Sequence, residues 1–139
     1  MANWQRIKIE IPKQIKPADR EEVALEIIDF IANRTKRNKD KDGRKFSNYT
    51  KDYAKIKGTS RNKVDLTLTG EMLDELKLIS HRSGSLLIGY DRGSDINGKV
   101  EGNRLGSYGG SPNPSKARDF LGLREKELQD ILMDYVNDR

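Results

Sequence analysis

The chain has 139 residues and a mass of 15.9 kDa, with 34% apolar residues, 35% charged residues and a mean hydropathy of −0.86. That length fits one domain over residues 1–139, with a lean core beneath a very polar surface. Cysteine is absent and His81 is the single histidine, which excludes disulfides, thiolate metal sites and most imidazole-dependent catalysis. No apolar run approaches the ~20 residues of a membrane helix, and charges run through Met1–Glu10, so neither a membrane span nor a leader is expected.

The net charge of +5 is unevenly spread. Between Arg34 and Lys63 stand twelve Lys/Arg and three Asp, a local balance of +9 that leaves −4 for the rest of the chain. Such asymmetry points to a polyanion or an acidic partner near one region, or to a solvated basic loop.

Ile7, Ile9 and Ile11 alternate with Lys8 and Glu10 and predict a half-buried strand that stops at Pro12. Pro17 suits a first helical turn, and Asp19, Glu21 and Glu22 favour the positive end of a helix dipole. Val23, Ile27, Phe30 and Ile31 then keep the rhythm of a buried face, predicting a helix over about 18–35. A basic arm follows over about 34–63, sparse in apolar residues and expected to be exposed and flexible. Tyr49, Tyr53 and Ile56 allow a short helix within it, near 47–57.

Val64, Leu66 and Leu68 alternate like a strand, whereas Leu68, Met72, Leu73 and Leu76 share one helical face behind the potential cap Thr69. The expectation is an extended piece running into a short helix. Leu76 and Leu78, then Arg82-Ser83-Gly84, then Leu86, Ile88 and Tyr90 read as a hairpin. Eight of the twelve glycines lie from Gly84 to Gly110, and about 91–115 reads as a glycine-rich loop without regular structure. Leu128, Ile131, Leu132, Tyr135 and Val136 predict a closing helix over about 123–137. Together these elements predict an α+β fold: a small antiparallel sheet with N- and C-terminal helices packed on it, plus the basic arm and the glycine-rich loop.

Three motifs invite chemistry and each lacks a necessary part. Gly93 to Lys99 has phosphate-loop spacing, but Val100 stands where a hydroxyl should meet Mg²⁺, and no helix is expected after it. Asn38 to Gly43 resembles half of a calcium loop, but its twelfth position is Tyr49 and lysines interleave the oxygen ligands. His81 has no carboxylate or nucleophile at a marked spacing. No catalytic, cofactor-binding or metal site is therefore expected. The acidic residues of the closing helix (Glu125, Glu127, Asp130, Asp134 and Asp138) form a solvated face or a docking surface for a basic neighbour.

The basic arm, with Phe46, Tyr49 and Tyr53 interleaved, has the character of a nucleic-acid surface: cations for phosphates, rings for exposed bases. The same residues suit an arm that orders against a protein neighbour. Its candidate interface or DNA-facing residues are Arg34, Lys36, Arg37, Arg44, Lys45, Tyr49, Lys51, Tyr53, Lys55 and Lys57.

Val64-Asp65-Leu66-Thr67-Leu68-Thr69-Gly70-Glu71-Met72-Leu73 resembles the leucine–threonine–glycine element, with its short amphipathic sequel, of small tailed-phage joining proteins. Lys116-Ala117-Arg118-Asp119-Phe120-Leu121-Gly122-Leu123 is similar to the Ala-Arg-Pro-Phe-Leu-Gly-Leu element ahead of their final helix. It departs from that element at Asp119, which stands where the proline does, and the family's frequent His-Gln pair has no counterpart around Val100–Gly106. The organisation over about 17–136 also resembles the tailed-phage virion-morphogenesis family, the tail-completion and neck (head–tail connector) proteins of the bacteriophage virion. That resemblance implies a non-enzymatic structural protein without cofactor, a homo-oligomeric ring around the DNA channel of the head–tail junction. It implies contact with phage connector or adaptor proteins, with tail proteins and, non-specifically, with packaged DNA, and location in the virion after assembly in the host cytoplasm. Arg118, Phe120 and Leu121 are its candidate subunit contacts. The alternative from the residues is a small cytoplasmic nucleic-acid-binding protein that uses the basic arm.

Overall fold

A computed structural model describes residues 5–46, 70–82, 84–107 and 117–137. The short helix expected near 47–57, the Val64–Leu68 strand and the 108–115 part of the glycine-rich loop lie outside the described residues. The fold is α+β, with a three-stranded antiparallel sheet and, among the described residues, four α-helices.

Strand β1 (Arg6–Glu10) pairs with β3 (Ser85–Gly89), which pairs in turn with β2 (Lys77–Arg82), so β3 is central. Ile7 faces Ile88 and Ile9 faces Leu86 across the β1–β3 ladder, which keeps one apolar face in register. The ladder continues beyond the strand, with the Ile11 amide donating to Gly84 O at 2.8 Å. A register shift between Leu78 and Ser80 marks a bulge in β2. At the other end of the ladder the Tyr90 amide donates to Gln5 O at 3.1 Å. This approach needs Gly89, since a Cβ there would stand 2.2 Å from Gln5 O and 2.7 Å from the Arg6 Cα.

A 3₁₀ turn at Pro17–Asp19 leads into helix α1 (Arg20–Lys36), close to the predicted bounds. Val23, Ala24, Ile27 and Ile31 are fully buried, and α1 lies against β2 and β3. Truncating one of these isoleucines to alanine removes roughly 2–5 kcal/mol by the usual cavity cost. Helix α2 (Gly70–Asp74) is short, and the buried Tyr90 hydroxyl donates to Met72 O, tying it to the end of β3. Burial, aided by the charge of Glu75, pushes the Tyr90 phenol far above its ordinary pKa. Helix α4 (Glu125–Asn137) packs chiefly on α1 and not chiefly on the sheet, which corrects the expectation that both terminal helices lie on the sheet.

The segment expected to be a glycine-rich loop contains helix α3 (Ile96–Leu105), which corrects that reading over these residues. Only Ile96 and Val100 supply buried apolar contacts. Two buried asparagines do the anchoring instead. Asn97 Oδ1 accepts from the Gln5 amide at 3.0 Å while its amide group donates to Asp91 O and Ser94 O. Asn103 donates to Lys99 O at 2.9 Å and sits 3.6 Å from Met72 Sδ. Gly106 closes the helix in the left-handed conformation with φ 69°.

Candidate interaction surfaces

Over 37–46 the basic loop after α1 has a hydrogen-bonded backbone fold. The Lys39 amide donates to Arg34 O at 3.3 Å and the Asn38 amide to Thr35 O at 3.0 Å. Together with the left-handed Asn38 (φ 68°) these bonds form a Schellman closure, with asparagine in the place usually held by glycine. Asp40 Oδ1 then accepts from the Asp42 and Arg44 amides, each at 2.9 Å, an Asx arrangement that folds the tip. The half-calcium motif is thus a tight turn in which Asp40 caps the backbone. Lys39 and Lys45 bridge across its base.

The loop is fastened to the chain that precedes α4. The Lys41 amide donates to Asp119 O at 2.9 Å, and Phe46 is buried in the core. Arg34, 5% exposed, donates through Nη1 to Gly122 O at 2.5 Å and through Nη2 to Phe120 O. Its guanidinium also lies 5.7 Å from the centre of the Phe30 ring. Asp119 Oδ1 accepts from Arg104 Nε at 2.8 Å and from the Leu121 amide at 3.2 Å. The aspartate that replaces proline in the resemblance therefore joins α3 to the 117–124 segment.

These positions correct part of the sequence reading. Arg34, Phe120 and Leu121 are buried within this chain, where they hold α1 to the segment entering α4. They are not available as surface contacts, and Phe46 is a core residue, not an exposed anchor. Lys36, Arg37, Arg44 and Lys45 are exposed together with Lys39, and Arg118 is half-buried. Tyr49, Lys51, Tyr53, Lys55 and Lys57 lie outside the described residues.

A second surface brings together residues distant in sequence. Glu26, Asp29, Phe30 and Asn33 of α1 and Glu127, Asp130, Ile131 and Asp134 of α4 line an open groove of about 460 Å³. Each helix contributes a set at i, i+3, i+4 and i+7, one continuous edge of its surface. Phe30 and Ile131 supply the groove's apolar lining, which they share with five carboxylates. Among the described residues no three carboxylate or imidazole groups are placed to hold a metal ion, so the groove presents dispersed negative charge. Burial raises the Glu127 pKa, but hydrogen bonds from the side chain and backbone of Arg124 prevail and hold it below the ordinary glutamate range. The sequence marks the acids of α4 but not Glu26 and Asp29, because nothing in it says which helix lies alongside.

The phosphate-loop spacing also meets a different geometry. The helix that the sequence reading denied begins at Ile96, inside the motif, so Gly98 and Lys99 sit in its first turn and not in a loop ahead of it. His81 Nε2 lies 3.9 Å from Glu21 Oε1 on the half-exposed side of β2. Comparison of the chain with protein-family models, curated proteins and solved structures gave no match.

Proposed function

We propose that this chain is a structural protein of a tailed-phage virion, acting at the head–tail junction as a ring subunit around the DNA channel and joining connector to tail. The observation that carries this reading is the pair of sequence elements, Val64–Leu73 and Lys116–Leu123, in an order that resembles the tail-completion and neck family. The described geometry is compatible with it in two respects. Opposite charges occupy separate exposed surfaces, as a subunit that meets neighbours on two sides requires. The 117–124 segment is pinned by Arg34 and Asp119, which presents the closing helix at a fixed angle. In this role the protein is non-enzymatic, assembles in the host cytoplasm and ends in the virion neck. Its exposed cations also suit non-specific contact with packaged DNA.

Disruption of the gene in its phage, followed by negative-stain electron microscopy of the lysate, tests the reading. Separated heads and tails are expected, and normal infectious virions would overturn it. The exposed set Lys36, Arg37, Lys39, Arg44 and Lys45 favours one alternative, a small cytoplasmic nucleic-acid-binding protein. Such a protein would lose DNA or RNA affinity log-linearly with salt, with a slope of about 0.9 per phosphate contact on duplex DNA. A subunit that meets DNA only inside the assembled channel would bind free duplex weakly.

A further inference from the structure

We infer that the acidic groove between α1 and α4 receives the basic 36–45 loop of a second copy of this chain, making a head-to-tail contact between subunits. The inference names the contact inside the ring proposed above, and it rests on that reading for closure into a ring.

Four observations converge on it. The groove carries Glu26, Asp29, Asp130 and Asp134, none of which has an ion-pair partner among the described residues. The loop carries Lys36, Arg37, Lys39, Arg44 and Lys45, exposed and likewise without ion-pair partners among the described residues. The loop is held by its own backbone, through the Schellman closure and the Asp40 turn, so ordering it on binding costs little entropy. The apolar lining from Phe30 and Ile131 suits the aliphatic stems of lysine and arginine, whose charged heads would then meet the carboxylates beside it.

Among the described residues, one subunit does not pair these two surfaces itself. The loop is fastened to Asp119 and, through Arg34, to Phe120 and Gly122, so it cannot fold back over α1 and α4. A second copy brings the complementary surface without any rearrangement. Because the two surfaces differ, the contact is heterologous, and repetition yields a ring or an open filament.

These 139 residues contain no cysteine, which permits a clean crosslinking test on the whole chain. Two single-cysteine variants, Lys39→Cys and Asp130→Cys, are mixed under mild oxidation. Disulfide-linked heterodimers should form in the mixture, in excess of either homodimer. Homodimers of Lys39→Cys alone, or no crosslink at high protein concentration, would overturn the contact.

Charge exchange gives an independent readout by sedimentation velocity. The groove variant (Glu26→Lys, Asp130→Lys, Asp134→Lys) and the loop variant (Lys39→Glu, Arg44→Glu, Lys45→Glu) should each lose self-association while keeping the wild-type circular dichroism spectrum. Mixing the two should restore association, because the intact loop of the groove variant meets the intact groove of the loop variant and the reversed loop of the latter meets the reversed groove of the former. Wild-type association should weaken about tenfold as salt shortens the Debye length from ~10 Å toward ~3 Å. Unchanged association in both variants, or no restoration on mixing, would refute the proposal. Normal virions from the disrupted phage would remove the neck reading yet leave the crosslink intact, so the two failures are distinguishable.

Discussion

Arg34 takes a full positive charge into a site only 5% exposed, and burial lowers its pKa despite the nearby carboxylates of Glu127, Asp40 and Asp119. What keeps it there is geometry: two donors of one planar fork meet the carbonyls of Phe120 and Gly122. Arg34→Lys preserves the charge but presents a single point of donation. One carbonyl is left without its donor, and urea unfolding should record a loss of ~1–3 kcal/mol. A wild-type midpoint would show that the fork contributes nothing. Gly89 is the complementary case, where the absence of a side chain matters. Gly89→Ala places a Cβ 2.2 Å from Gln5 O, a backbone atom that cannot swing aside. The expected cost is ~1–3 kcal/mol in thermal unfolding, because the β1–β3 ladder must spread to accept it.

At the scale of the element, the basic loop shows how a segment rich in charge becomes ordered without a core of its own. Asp40 satisfies two backbone amides from one carboxylate oxygen, and Asp40→Ala removes both bonds at once. Hydrogen exchange at the Asp42 and Arg44 amides should accelerate several-fold, while global stability falls by no more than ~1 kcal/mol, since the loop is at the surface. The start of α4 responds to pH through Glu127. Burial disfavours its ionised form, but the hydrogen bonds from Arg124 win and its folded-state pKa is depressed. Its contribution is therefore present above the ordinary glutamate range and lost as pH falls through the lowered folded value. Thermal unfolding across the acid range should show a limb below about pH 4.5 that flattens in Glu127→Gln. An unchanged limb would assign it to other carboxylates.

For the whole molecule, the sheet order makes β3 the strand with partners on both sides, and its inward residues Leu86 and Ile88 are fully buried. Its amides should exchange slowest, near the global unfolding limit, while the 91–95 turn and the 40–44 tip exchange first. Faster exchange in β3 than in α4 would contradict this hierarchy. The molecule also separates its charges. Basic residues close α1 and fill the loop behind it, whereas carboxylates from two helices, Glu26 and Asp29 with Glu127, Asp130 and Asp134, gather around one groove. Segregation of this kind costs some self-repulsion within each patch, and it directs association toward a complementary neighbour.

Sequence alone determined the elements whose side chains repeat with a period. The alternation of Ile7, Ile9 and Ile11, the stripe through Val23, Ile27 and Ile31, the hairpin around Gly84 and the stripe of α4 were all legible, because burial of one face imposes the repeat. Helix α3 was not legible, since Gly98 and Gly102 interrupt it and it is anchored by Asn97 and Asn103, whose hydrogen bonds leave no periodic trace. Local pattern could mark the acids of α4 and the cations after Arg34. Only tertiary structure decided that Arg34, Phe46, Phe120 and Leu121 belong inside, and that Glu26 and Asp29 share a groove with Asp130 and Asp134. Those outcomes depend on which distant segments meet, and pairing across 86 or 88 residues, as between Arg34 and Phe120 or Gly122, is set by packing of the whole chain.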